Sequence, residues 1–198
     1  MAIRPILFNT EMVKAILYGR KTQTRRIVKP QPNGQLNQIP GLITWRERSL
    51  EDRRWLPPAN KDDILWVRET WKTATSGTAG PGMIDRYIYK ADEEEPQDTT
   101  GLIVESRWHP SIHMPWIAAR IFLKVTDVRV ERLSSITEDD AMKEGVAPEP
   151  PFTFKPYTRA FATLWDKTVK GKEDRYGWVA NPWVWVIEFK QTEQLLPF

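Results

Sequence analysis

The stretch FNTEMVKAILYGRKTQTRR, residues 8–26, joins two kinds of local order and sets the reading of the rest of the chain. Thr10 is placed to cap a helix, with Glu11 in the first turn, where the helix dipole favours a carboxylate. Met12, Val13, Ile16 and Leu17 recur at helical spacing on one face, and Gly19 stands where such a helix ends. A run of four cations and two hydroxyls follows directly: Arg20, Lys21, Thr22, Gln23, Thr24, Arg25, Arg26. Two readings of this basic turn stay open. Cations are favoured at a helix C-terminus, and charge runs are usually solvated faces. The same residues also suit a phosphate- or base-binding turn. In that reading a desolvated lysine can lose its proton and activate a neighbouring threonine, with a carboxylate from elsewhere completing the proton transfer.

Beyond this segment the pattern turns to strands. In ILWVRET, Ile64, Trp66 and Arg68 alternate against Leu65, Val67 and Glu69, so Arg68 and Glu69 face opposite sides of a strand. Further strands are predicted at Asp85 to Ala91, at Ala119 to Leu133, and at Asn181 to Lys190. In the last, Trp183, Trp185, Ile187 and Phe189 point one way and Val184, Val186 and Glu188 the other. Thr137 to Asp140 has the spacing of a capping box, with Gly145 ending that helix; a second helix is predicted over Thr158 to Val169. Residues 29–62 and 73–118 read as irregular insertions, including a loop at 73–82 and an acidic loop opening at Glu93, Glu94 and Glu95. The order predicts an α+β fold in a single domain over residues 1–198.

Composition narrows the function classes. The 198 residues are 40% hydrophobic and 28% charged, which suits a globular chain with a real core. No apolar run is long enough to span a bilayer, and MAIRPILFNTEMVKAI lacks the pattern of a signal peptide, so no membrane partner and a cytoplasmic location are expected. There is no cysteine, which excludes disulfides and a thiol nucleophile. The net charge of +3 is a mild excess. Ten tryptophans are expected mostly in the core, with one or two free to stack on bases. His109 and His113 are spaced for one helix face, but Pro110 and Pro115 argue against a helix there. There is no P-loop, no G-x-G-x-x-G and no H-E-x-x-H.

AILYGRKTQTRR resembles the G-x-K-T-x-T-x-R signature near the start of ASCH domains, a branch of the PUA-like superfamily. ITEDDAMKEGV (136–146) is similar to their second hallmark, and WVWVIEFK to their closing strand. DILWVRETW, WHPSIHMP, AARIFLKVTDVRVERL and NPWVWVIEF resemble prophage members. The resemblance implies a PUA-like mixed β-barrel flanked by helices. It also implies a modified nucleoside or RNA as partner, and no metal or organic cofactor. Some ASCH proteins are amidohydrolases of N4-acetylcytidine, and their Lys, Thr and Glu map onto Lys21, Thr24 and Glu144. Others bind RNA or cleave it. Arg20, Thr22, Arg25, Arg26, Arg68, Trp71 and His113 are the candidate substrate- or RNA-binding residues. The chain departs from the small amidohydrolases in its length, and HMPWIAARI has Trp116 or Ile117 where the phage branch is expected to carry an arginine.

Overall fold

The computed structural model describes residues 1–32, 35–39, 42–46, 52–54, 56–76, 86–92, 101–148, 150 and 154–193. In chain order the elements are β1 (Ile3–Leu7), α1 (Thr10–Leu17), β2 (Gln23–Ile27), β3 (Gln35–Ile39), β4 (Leu42–Arg46), β5 (Asp52–Arg54), β6 (Ile64–Arg68), β7 (Trp71–Ser76), β8 (Arg86–Tyr89), β9 (Leu102–Val104), β10 (Phe122–Arg132), α2 (Glu138–Lys143), α3 (Pro156–Thr168), α4 (Glu173–Tyr176) and β11 (Trp183–Thr192). Strands dominate, parallel and antiparallel pairs both occur, and the longer helices lie between strands in sequence, so the class is α+β as predicted. The chain divides into two compact units: Met1 with Arg20–Asp63 and Val125–Lys190, and Ala2–Gly19 with Ile64–Lys124 and Gln191–Phe198.

The first unit is organised by β11. It pairs antiparallel with β2, with Val186 opposite Arg25 and Ile187 opposite Thr24, and its neighbours in the sheet are β2 and β10. Alternation sends Val184 and Val186 to one face, where they pack with Leu133, Ala141, Phe161 and Trp165. Trp185 goes to the other face, against Val28 and Val130. Both faces of β11 are therefore covered, as befits an inner strand. Thr137 caps α2: its hydroxyl accepts from Asp140 N at 3.1 Å, and Asp140 Oδ2 accepts from Thr137 N at 3.3 Å. The neighbouring Glu138 caps α3, accepting from Thr158 N at 2.8 Å and Tyr157 N at 3.1 Å, so one short acidic turn satisfies orphan amides of two helices. Residues 29–62, read as irregular, carry the antiparallel sheet β3-β4-β5. The three strands are short, at most five residues each, within a stretch whose Pro, Asn, Gln and Gly content reads as loop.

In the second unit β6 is central. It runs parallel to β1, with Ile3 opposite Ile64 and Leu7 opposite Arg68, and antiparallel to Phe122–Lys124. Ile64, Leu65 and Val67 are buried. The sequence reading did not predict β1, whose five residues expose all but Ile6. Helix α1 starts one residue earlier than read: Asn9 is the N-cap, accepting from Met12 N at 2.8 Å, and Thr10 is the first helical residue. Its buried face holds Val13, Ala15 and Ile16, while Leu17 is exposed. In the segment read as the irregular insertion 73–118, β7 pairs with β8 and β9. Residues 73–76 of the expected loop belong to β7; residues 77–82 and the acidic Glu93, Glu94 and Glu95 lie outside the described residues. Among the described residues no helix is long and apolar enough to cross a membrane.

Candidate functional site

The basic run is not a turn. From Gln23 it is strand β2, and the two residues before it are already tied down. Lys21 and Glu144 form an isolated antiparallel bridge. Thr22 N donates to Lys143 O at 2.9 Å, and Thr22 O accepts from Phe189 N at 2.9 Å. The end of α2 delivers the partner. Gly145 adopts φ +81, a conformation glycine reaches without strain, and Glu144 is left as the C-cap with both its carbonyl and its carboxylate on Lys21.

Lys21 Nζ donates three bonds of 2.8 Å each, to Gln23 O, to Glu144 O and to Glu144 Oε2. An ammonium has three protons, and each has an acceptor. The lysine side chain is fully buried and that of Glu144 nearly so. Burial lowers the Lys21 pKa below the ordinary lysine value, and the Glu144 charge and hydrogen bond oppose that shift. The other carboxylate oxygen, Oε1, accepts from Arg25 Nη1 at 3.0 Å.

Strand periodicity then sorts the residues. Gln23 and Arg25 share one side of β2. Arg25 Nη2 lies 3.3 Å from Glu131 Oε2 and 3.7 Å from Asp140 Oδ2. With its amide nitrogen toward Asp140, Gln23 donates to Oδ1 at 3.2 Å, and its oxygen accepts from Arg25 Nη1 at 2.6 Å. Arg129 on β10 continues the network to Glu131 and Glu188, both at 2.5 Å. On the other side of β2, Thr24 is 1% exposed and its Oγ1 accepts from Arg26 Nη1 at 2.7 Å. Arg26 is partly exposed; Arg20 is exposed, with Nη1 3.5 Å from Gly145 O; Thr22 is exposed. Lys21 and Glu144 are thus in direct contact, and Thr24 follows Gln23, the residue whose carbonyl Lys21 also holds.

Arg68, Trp71 and His113 belong to the other unit. Arg68 donates to Ile112 O and lies 5.4 Å from the Trp66 ring centre. Trp71 is buried and stacks on His109 at 4.6 Å, and His113 is exposed in a short 3-10 turn. Glu69, next to Arg68, is held in a buried ion pair of this unit. Arg120 clamps its carboxylate through Nε at 2.9 Å and Nη2 at 3.0 Å, reaches Asp92 at 2.7 Å, and lies 3.9 Å from the Tyr89 ring centre. Burial raises the Glu69 pKa against that arginine, and raises the Tyr89 hydroxyl to about 12. His109 Nε2 is 2.8 Å from Glu105, whose pKa its hydrogen bond lowers. Sequence reading missed Arg120, Asp92 and Tyr89. The available signal was an arginine in WIAAR, a few residues beyond the position where one was expected. Trp116, one of the two residues read at that position, packs edge-on to Trp66 and Phe122, 5.3 Å from each.

No protein-family profile and no curated protein matches the chain. Among solved structures, the chain is similar to an ASCH domain from Lactobacillus crispatus JV V101, at 13% identity and a TM-score of 0.42, over 96% of this chain and 79% of that one. It is also similar to protein EF3133 from Enterococcus faecalis V583, of family DUF984, at 9% identity and a TM-score of 0.45, over 100% and 84%. Both likenesses are distant, and a distant likeness of fold does not fix a function.

Proposed function

We propose that this chain is a PUA-like, RNA-related module whose Lys21, Thr24 and Glu144 hydrolyse the acyl amide of an N4-acetylcytidine-like nucleoside or modified RNA base. The observation that carries this reading is the buried 2.8 Å contact between Lys21 Nζ and Glu144 Oε2. Burial lowers the lysine pKa, and the contact gives the ammonium proton a direct path to the carboxylate. The amine left behind is a base, and the carboxyl formed is an acid, which are the two groups amide hydrolysis requires. Lys21 takes the Thr24 proton as Oγ1 attacks the acyl carbon. The bond from Arg26 to Oγ1 favours the developing alkoxide. On collapse the C–N bond breaks, Glu144 protonates the leaving amine, and water then releases acetate from the acyl-threonine.

A binding module without catalysis is the second reading, and one observation favours it: all three Lys21 protons have acceptors in the resting structure, as in a structural ion lock. Incubation of the purified protein with N4-acetylcytidine, followed by product mass, separates the two. Cytidine and acetate are expected, and Thr24→Val abolishes their release. Lys21→Arg keeps the cation but cannot act as a base, so turnover falls about a hundredfold to ten-thousandfold while ligand binding survives. A parent protein that releases no acetate from acylated nucleosides, yet holds RNA in a salt-sensitive way, assigns the chain to the binding reading.

A further inference from the structure

We propose that Arg25 is the positioning residue of the Lys21–Glu144 pair: its buried guanidinium holds Oε1 of Glu144 so that Oε2 stays on Lys21 Nζ, and Glu131 and Asp140 behind it set how much positive charge the pair feels. The kinetic consequence rests on the hydrolase reading; the electrostatic one does not.

Composition makes Arg25 look like a phosphate ligand, but its place in the fold removes it from that role. The side chain has no exposure. Its Nη1 is engaged by Glu144 at 3.0 Å and by the Gln23 oxygen at 2.6 Å, and its Nη2 faces Glu131 at 3.3 Å and Asp140 at 3.7 Å. Three carboxylates from β10, from α2 and from its C-cap thus converge on one guanidinium. Arg25 Nε is buried with no partner, so it is the two terminal nitrogens, turned to the carboxylates, that fix the group's orientation. The Phe161 ring, 5.7 Å away, closes another side. With Oε1 of Glu144 held by Nη1 of this fixed guanidinium, Oε2 is left to Lys21.

The position also tunes charge. The charged groups around the pair are Arg20, Arg25 and Arg26 before and on β2, Arg129 and Glu131 on β10, Asp140 and Lys143 on α2, and Glu188 on β11. Arg25 reaches the Glu144 carboxylate directly, through Nη1 on Oε1, as Lys21 does through Nζ on Oε2. Removing its positive charge makes the Lys21 ammonium easier to keep. Removing the Glu131 charge, which offsets Arg25 from behind, makes it harder to keep.

The two substitutions therefore move Lys21 in opposite directions, whereas residues that only fill space move it in neither. The test is a carbon NMR titration of the lysine Cε signals, with Lys21 identified by its absence from Lys21→Arg, in the parent, Arg25→Gln and Glu131→Gln proteins. Arg25→Gln is expected to titrate upward from the parent and Glu131→Gln downward. If Arg25→Gln does not fold, the direction of the Glu131→Gln shift decides alone. Unmoved titrations, or two shifts of the same sign, overturn the assignment. In turnover of N4-acetylcytidine, Arg25→Gln is expected to lower kcat roughly tenfold at unchanged KM and to move the rising limb of the pH profile upward. Opposed titration shifts in a protein that releases no acetate leave Arg25 assigned and remove the hydrolase reading. Acetate release with unmoved titrations does the reverse.

Discussion

Lys21 and Glu144, 123 residues apart in sequence, are joined twice: their backbones form an antiparallel bridge, and Nζ lies 2.8 Å from Oε2. The backbone bridge sets the distance, and the side chains then have no solvent to turn to. A double-mutant cycle with Lys21→Met and Glu144→Gln is expected to give a coupling energy of about 2 kcal/mol or more in urea unfolding. Lys21→Met alone is expected to cost about 3–5 kcal/mol, because it breaks a buried ion pair and leaves the Glu144 carboxylate to Arg25. Additive single effects would show that the pair is not coupled.

Acid stability has a specific source in Asp140. Burial pushes its carboxyl up, but the Thr137 hydroxyl and amide, with Arg25 and Arg129, together hold it below the ordinary value of 3.8. A folded pKa below the unfolded one contributes stability that is complete above the unfolded value and is lost as pH falls through the folded one. Asp140→Asn is therefore expected to lower stability at neutral pH and to flatten the acid slope. Unfolding free energies measured from about pH 5 to about pH 2 check this, and parallel curves for parent and variant would refute it.

In the second unit the bidentate Arg120–Glu69 pair depends on fork geometry rather than charge alone. Arg120→Lys is expected to cost about 2 kcal/mol, since one ammonium cannot reproduce two parallel bonds and the Asp92 contact. Arg120→Met costs more than the double variant Arg120→Met with Glu69→Met, which removes the stranded carboxylate as well. Thermal unfolding of the three proteins orders them. A double variant less stable than Arg120→Met would show that Glu69 has another source of support.

If the chain holds RNA through phosphate, Arg20 is a better anchor than Arg25. Arg20 is exposed, whereas Arg25 is enclosed by carboxylates. Arg20→Ala is expected to reduce the slope of log affinity against log salt by about 0.7, the loss of one single-strand phosphate contact. Fluorescence anisotropy with a labelled single-stranded RNA across a salt series reads that slope. An unchanged slope removes Arg20 from the interface.

What the sequence determined by itself about this protein is what local chemistry decides. The Thr137–Asp140 capping box is a set of bonds spanning three residues. The helix read over Thr158 to Val169 and found over Pro156–Thr168, and the alternation of Val184 and Val186 against Trp185, are periods that any short window displays. Lys21 and Glu144 were singled out through resemblance, since a lysine in a charge run and a glutamate at a helix end look solvated in any window. Tertiary structure alone decided that β1 is a strand, because its partner β6 begins at Ile64 and its own residues are mostly exposed. It likewise turned a basic turn into strand β2, whose ladder is supplied by β11 near the other end of the chain. It also made Arg25 an internal cation: the carboxylates of Glu131, Asp140 and Glu144 lie more than a hundred residues away and reach it only once β10 and α2 pack against β2. Charge partnership between distant residues leaves no local period, and burial, which gives that partnership its strength, exists only in the folded chain.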